Sequence, residues 1–102
     1  ASWCGPCRAQ NPDLVNIYRR WSNKFEIVGV AFDQDNDRWK KAIIDDGLTW
    51  PQMSDLKGWG NSAAELYSIR AIPQNILLDP AGIIIARNIE IPELENFLAE
   101  LD

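Results

Sequence analysis

The feature that most constrains this chain is a pair of cysteines two residues apart, in the stretch Trp3-Cys4-Gly5-Pro6-Cys7. Two intervening residues bring both sulfurs onto one helical turn, where they can form a reversible disulfide. If a helix begins here, its unpaired N–H groups and its dipole stabilise a thiolate at Cys4. Pro6 suits a first helical turn because it lacks an N–H, and Gly5 leaves the sulfur open to a partner. The motif therefore predicts redox chemistry on sulfur.

The same two cysteines could instead bind a metal ion or form a purely structural disulfide, and the number of available ligands helps to distinguish these roles. The chain has two cysteines and no histidine, so one chain cannot supply the four ligands of a structural zinc site. Two chains that share one metal ion or iron–sulfur cluster through four cysteines are an alternative. A purely structural disulfide is disfavoured because a bridge across two residues restrains little of the unfolded chain. The sequence implies no metal and no organic cofactor.

Composition limits the domain number and the class of partner. The 102 residues, 46% hydrophobic and 25% charged, suit one compact domain spanning residues 1–102. A formal charge of −5 disfavours a basic face for phosphates, so we expect no nucleic-acid partner. The apolar run at residues 83–86 is too short to span a bilayer. Any export signal or lipid anchor would precede Ala1, and membrane contact is expected only through such a segment.

Hydrophobic periodicity in the first half of the chain predicts two helices around one strand. Apolar residues at three- and four-residue spacing predict a helix over residues 4–23. The run EIVGVAF at residues 26–32, apolar on both faces, predicts a buried parallel strand. A second helix, capped by Asn36 or Asp37, continues through residues 41–46 and ends at Gly47.

The second half predicts a short helix, a hairpin and a closing helix. Asn61 or Ser62 begins the short helix. Residues 75–78 and 83–89, joined by a turn at residues 79–82, predict an antiparallel hairpin. Pro92 then starts an amphipathic helix whose apolar residues recur at i, i+3, i+4 and i+7.

This order of elements, with two separate motifs, resembles the thioredoxin superfamily over nearly the whole chain. The stretch ASWCGPCR at residues 1–8 is similar to the active-site segment of that family, and YSIRAIP at residues 67–73 to the segment that carries its cis-proline. An apparent insertion over residues 35–60, with LLDPAG at residues 77–82, resembles the TlpA/ResA-like branch of bacterial envelope thiol-disulfide oxidoreductases. Peroxiredoxins share the insertion, but their peroxidatic cysteine lies outside any Cys-x-x-Cys. The resemblance implies an α/β class, with a three-layer α/β/α fold, a mixed sheet and an inserted helix before the cis-proline segment.

The resemblance also implies roles for individual residues. Cys4 would be the exposed attacking thiol and Cys7 the buried resolving thiol, with catalytic Pro73 in a cis peptide bond against the disulfide. Substrate contacts are expected from the residues that flank these groups: Trp3, Gly5, Pro6, Ile72 and Gln74. Gln74 stands where the family usually has threonine or a small residue, which would change substrate contacts without changing the sulfur chemistry.

Other tryptophans and Arg8 carry weaker signals. Trp21 and Trp39 lie at helical spacing and are expected in the core. Trp50 and Trp59, near predicted loops, either flank the substrate groove or pack half-buried. Arg8 is expected to be solvated or ion-paired.

The resulting hypothesis is an enzyme that exchanges disulfides between Cys4/Cys7 and protein thiols. An upstream thiol reductant would return its cysteines to the reduced state. The Gly-Pro dipeptide is that of thioredoxin, so we expect a reducing couple. The alternatives are a non-catalytic binding or assembly module that uses the cysteines for docking or for a shared metal, and a cytosolic thioredoxin, which the insertion disfavours. By resemblance the protein belongs in the bacterial periplasm or cell envelope, with the cytoplasm as the alternative.

One element of the family pattern is not found in this sequence. In the family a buried strand, which carries a buried acid, directly precedes the active-site tryptophan and runs between the strand corresponding to residues 26–32 and the hairpin. Two strand edges would otherwise be left unpaired in the core. We therefore expect the 102 residues to be part of a longer chain whose preceding residues, or a strand from another molecule, fill this place.

Overall fold

The computed structural model describes residues 1–101, and within them helices and short strands alternate. The α-helices are α1 (Gly5–Trp21), α2 (Asn36–Asp46), α3 (Ser62–Leu66) and α4 (Ile91–Glu100). The strands are β1 (Gly29–Val30), β2 (Gln52–Met53), β3 (Ile76–Leu78) and β4 (Ile84–Arg87), and a 3-10 helix covers Gly58–Gly60. No helix in this part of the chain is long and apolar enough to cross a membrane. The α/β class and the inserted helix before the cis-proline segment are confirmed.

The strands form two separate pairs. β1 pairs in parallel with β2, with Gly29 opposite Gln52 and Val30 opposite Met53. β3 pairs antiparallel with β4, with an irregularity after Leu77. Over residues 1–101 no backbone ladder joins the two pairs. The expected mixed sheet is thus present as one parallel and one antiparallel piece.

The expected strand over residues 26–32 is shorter and less buried than predicted. Only Gly29–Val30 lies in the ladder, and the side chains of Val28 and Val30 are exposed. Residues i and i+2 share one face of a strand, so one face is open, while Ala31 and Phe32 at the end of the segment are buried. The prediction of burial on both faces was wrong, because nothing within residues 1–101 covers the face that carries Val28 and Val30. That a preceding segment lies beside β1 stays a prediction.

Helix termini are set by local capping. Asp35 caps α2 by accepting hydrogen bonds from the backbone N–H groups of Asp37 and Arg38. This corrects the predicted cap at Asn36 or Asp37, because the cap must keep extended backbone dihedrals and Asn36 already lies in the helix. Gly47 ends α2 at φ 67°, the left-handed conformation that favours glycine. Asn61 caps α3 as predicted.

The main hydrophobic core lies between α1 and α4. Its buried centre is Ile17, Leu94 and Leu98. The two leucines lie on the same face of α4 because they are four residues apart. Partly buried residues surround this centre: Trp21, Phe25, Leu77, Ile89, Ile91, Phe97 and Leu101. The Lys24 ammonium donates to the carbonyl oxygens of Leu98 and Leu101, which satisfies unpaired acceptors at the end of α4.

Candidate functional site: a disulfide at the start of α1

Cys4 and Cys7 form a disulfide at the first turn of α1, with their Cα atoms 5.2 Å apart. Cys4 is the residue that caps the helix. Its carbonyl oxygen accepts from Arg8 N–H at 3.0 Å, and its Sγ accepts from Cys7 N–H at 3.2 Å. A backbone donor aimed at Sγ stabilises negative charge there, as does the helix dipole. The structure therefore directs both a backbone N–H group and the helix start at Cys4 Sγ.

The exposures of the two cysteines are the reverse of those predicted. In this disulfide form Cys4 is 4% exposed and Cys7 is partly exposed. The Cys4 sulfur accepts from Cys7 N–H at the start of α1 and is bonded to Cys7 Sγ. The expectation of an exposed Cys4 above a buried Cys7 is wrong for this form. The neighbouring Gly5 and Pro6 are exposed, so the motif itself lies at the surface.

The peptide bond between Ile72 and Pro73 is cis, which confirms that prediction. The segment lies between α3 and β3. Pro73 is exposed, whereas Ile72 and Gln74 are partly buried. Contact between Pro73 and the disulfide stays a prediction.

The tryptophans divide between packing and surface. Trp3, directly before Cys4, is 53% exposed, and Trp59 in the 3-10 helix is 49% exposed. Their ring centroids are 6.3 Å apart. Trp50 is buried and packs edge-on against Tyr18 at 5.3 Å. Trp50 and Trp59 were each predicted either to flank the substrate groove or to pack half-buried. Trp50 packs in the interior, and Trp59 lies beside the cysteine motif.

A buried carboxylate that the sequence pattern does not single out, that of Asp33, holds the segment before Cys4. Asp33 is 1% exposed, and both its oxygens accept from Ser2 N–H at 3.1 Å. The Ser2 hydroxyl also donates to Asp33. Beside it, the Trp3 indole N–H donates to the carbonyl oxygen of Phe32 at 3.3 Å. These hydrogen bonds hold Ser2 and Trp3, which precede the disulfide, against Phe32 and Asp33, which follow β1.

Arg8, one residue after Cys7, forms a bidentate ion pair with Asp46 at the end of α2. Arg8 Nε and Nη2 each lie 2.9 Å from an Asp46 oxygen, and Asn11 Nδ2 donates to the same carboxylate at 3.0 Å. The hydrogen bond from Arg8, aided by that from Asn11, lowers the pKa of Asp46 against the opposing effect of its burial. The pair fixes the start of α1 against the end of α2.

Comparison with known proteins identifies the family. A model described as Thioredoxin-like matches residues 1–84. The chain belongs to the thioredoxin-like family. Its fold is similar to that of a thiol-disulfide oxidoreductase from Bacteroides fragilis, with a TM-score of 0.91 and 36% identity over 100% of this chain and 76% of that one.

This thioredoxin-like chain is also similar in sequence to curated proteins. It is 33% identical to nucleoredoxin from Bos taurus over 94% of this chain. It is 29% identical to the thiol-disulfide oxidoreductase ResA from Oceanobacillus iheyensis over 99% of this chain. It spans only 22% of the nucleoredoxin and 53% of ResA. These similarities confirm the predicted thioredoxin-like fold and family, in which the structure places the Cys4–Cys7 disulfide at the start of α1.

Replacing Asp33 with alanine is expected to lower the unfolding free energy of this thioredoxin-like domain by about 1.5–3 kcal/mol, since donors on Ser2 lose a charged acceptor. Urea unfolding followed by fluorescence measures the change. The matched control is Asp13→Asn, an exposed carboxylate on α1, which should stay within about 0.5 kcal/mol of the unsubstituted protein. Equal, small effects of both substitutions would contradict the anchoring role of Asp33.

The lowered pKa of Asp46 predicts an acid-dependent contribution to stability. A carboxyl group with a depressed folded-state pKa stabilises fully above its unfolded pKa, near 3.9, and loses that contribution as the pH falls through the folded-state value. Asp46→Asn should therefore destabilise the domain at pH 6, and this difference should shrink below about pH 4. Thermal melting between pH 2.5 and 7 measures it. Asp45→Asn, in a surface pair with Lys41, is the control, and an equal pH dependence in the control would argue against a special role of Asp46.

Proposed function

We propose that this chain is the catalytic domain of a thiol-disulfide oxidoreductase that reduces disulfides in protein substrates. The observation that carries the proposal is the Cys4–Cys7 disulfide at the start of α1, with Cys7 N–H directed at Cys4 Sγ. A bond across one helical turn constrains the chain little, so its formation and cleavage leave the fold intact. This suits a disulfide that turns over.

In the proposed first step the reduced protein attacks its substrate. The Cys4 thiolate forms a bond to one sulfur of the substrate disulfide, and the substrate S–S bond breaks. One substrate sulfur leaves as a thiolate and takes up a proton. The product is a mixed disulfide between Cys4 and the substrate.

In the second step the Cys7 thiol loses its proton and attacks Cys4 Sγ. The Cys4–Cys7 bond forms, the mixed disulfide breaks, and the second substrate thiolate leaves and is protonated. The substrate has gained two electrons, and the domain has lost them. An upstream dithiol reductant restores the starting state by the reverse exchange.

The roles of the surrounding residues follow the same proposal. Pro73 would lie against the cysteine pair, while Ile72 and Gln74 present backbone to an extended substrate segment. Pro73 is exposed in its cis bond, as a substrate contact requires. On the other side of Cys4, the exposed residues Trp3, Gly5 and Pro6 would meet the substrate. Gly5 has no atom within 4 Å of the position of a Cβ among the described residues.

Alkylation tests the assignment of the two thiols. Reduced protein treated briefly with iodoacetamide at pH 7 and digested should carry the label mainly on Cys4, because that sulfur is held by the helix start. The exposure of Cys7 in the disulfide form makes this a sharp test. Preferential labelling of Cys7 would reverse the assigned roles.

Measuring the midpoint reduction potential of the Cys4–Cys7 couple tests the direction of exchange. Because the dipeptide between the cysteines is that of thioredoxin, we expect a midpoint nearer to the thioredoxin value of about −270 mV than to the DsbA value of about −120 mV. Equilibration against thioredoxin or dithiothreitol buffers, with both states counted by alkylation, measures it. A midpoint near that of DsbA would make the domain an oxidant.

We place the protein in the bacterial cell envelope, with the cytoplasm as the alternative. The support is the likeness to a Bacteroides thiol-disulfide oxidoreductase and to ResA. Fractionation of the source cells with an antibody to the domain tests the compartment. Recovery in the cytosolic fraction alone would contradict it.

A further inference from the structure

An aromatic pocket lies beside the cysteine motif. It has a volume of about 310 Å³ and is lined by Trp3, Phe32, Gln34, Gly58 and Trp59. This volume lies at the lower end of the range for small-molecule pockets, which begins at about 300 Å³. The space therefore suits a single side chain. None of the five lining residues is charged, in a chain of formal charge −5. The lining therefore favours an apolar, neutral occupant.

The walls of this pocket are held in place by contacts already described and by one aromatic pair. Phe32 is buried, and the Trp59 ring packs edge-on against it with centroids 5.0 Å apart. The Trp3 indole is oriented by its bond to the Phe32 carbonyl oxygen. Gly58, at φ 58°, packs closely on Gln34, since a Cβ there would lie 3.0 Å from Gln34 Nε2. A pocket with preorganised walls loses little entropy when it is filled.

The pocket shares a residue with the cysteine motif. Trp3 lines it and is bonded directly to Cys4 in the chain, so the pocket adjoins the segment that would carry a mixed disulfide. The half-exposed indoles of Trp3 and Trp59 offer aromatic faces, which pair favourably with another ring in edge-on or offset geometry.

We propose that this pocket binds an aromatic side chain of the substrate polypeptide, located within about three residues of the substrate cysteine that bonds to Cys4, since an extended chain advances about 3.3 Å per residue. The inference rests on the proposed exchange function and adds a substrate preference to it. Burial of the ring in the pocket favours such substrates over those with glycine at the same position.

The first test compares two disulfide-bonded peptides that differ by tryptophan or glycine two residues from the cysteine. We expect kcat/KM to be at least about tenfold higher for the tryptophan peptide, the effect of burying one large apolar side chain. In Trp59→Ala the ratio should fall towards one. Ile83→Ala, an exposed apolar residue on the hairpin, should keep it. A ratio near one in the unsubstituted protein, or an unchanged ratio in folded Trp59→Ala, would overturn the proposal.

The second test needs neither turnover nor a variant. The oxidised protein is titrated with the tryptophan peptide carrying serine for cysteine, and the indole N–H signals are followed by NMR. Those of Trp3 and Trp59 should shift, while those of Trp21, Trp39 and Trp50, with buried indole nitrogens or buried rings, serve as internal controls. Shifts at Trp3 and Trp59, combined with no reduction of the disulfide-bonded peptides in the first test, would contradict the exchange function alone. Reduction of those peptides in the first test without these shifts would contradict the pocket alone.

Discussion

Replacing Cys4 with serine is expected to reduce insulin reduction by the protein to the rate of dithiothreitol alone. The proposed mixed disulfide forms on Cys4 Sγ, and a hydroxyl cannot take its place as nucleophile or as disulfide partner. Turbidity of precipitating insulin chains measures the rate. A non-catalytic docking module would show no acceleration even with both cysteines present, so the unsubstituted protein separates the two hypotheses.

Cys7→Ser is the matched control for this prediction. It keeps the attacking thiol and removes the resolving one, so it should accumulate a covalent complex with a disulfide substrate, visible on a non-reducing gel. Cys4→Ser should form much less of it. Retained insulin reduction in Cys4→Ser, or trapping only through Cys7, would contradict the assigned roles.

The largest expected loss of stability is that of Leu98→Ala. Leu98 is 1% exposed between α1 and α4, and its truncation removes buried methyl groups and leaves a cavity, at a cost of about 2–5 kcal/mol. Urea unfolding measures the change. Since small domains have roughly 5–15 kcal/mol in total, the variant should unfold at much lower denaturant concentration.

Glu100→Ala on the same helix is the control, because Glu100 is exposed. It should change the unfolding free energy by no more than about 0.5 kcal/mol. A Leu98→Ala effect as small as that of Glu100→Ala would mean that the α1–α4 contact is not the main core.

Local features were well predicted because their causes lie within a few residues. The helix start at Cys4, the glycine at the end of α2, the hairpin and the amphipathic α4 all follow from capping, turn chemistry or periodicity. The misplaced cap of α2 shows the limit of such reasoning. Asp35, Asn36 and Asp37 are all acceptable cap residues, and only the backbone dihedrals distinguish them.

The strand over residues 26–32 was overpredicted because strand burial depends on distant partners. The apolar pattern indicates that the segment favours an interior, yet pairing is decided by residues more than twenty positions away in β2. The order of exposure of Cys4 and Cys7 has a similar cause. Helix position indicates which sulfur is stabilised, whereas solvent access depends on which parts of the folded chain cover each cysteine.

By itself, the sequence determined that two cysteines lie at a helix start, because a disulfide across one turn and a helix cap need only neighbouring residues. The cis bond before Pro73 was expected from the family resemblance and not from local geometry. The tertiary structure alone decided what surrounds the two cysteines. Ser2 meets Asp33 across 31 positions, and Trp3 and Trp59 come together beside Phe32. Such contacts depend on how the chain folds back on itself, and periodicity along the sequence carries no information about which distant side chains will meet.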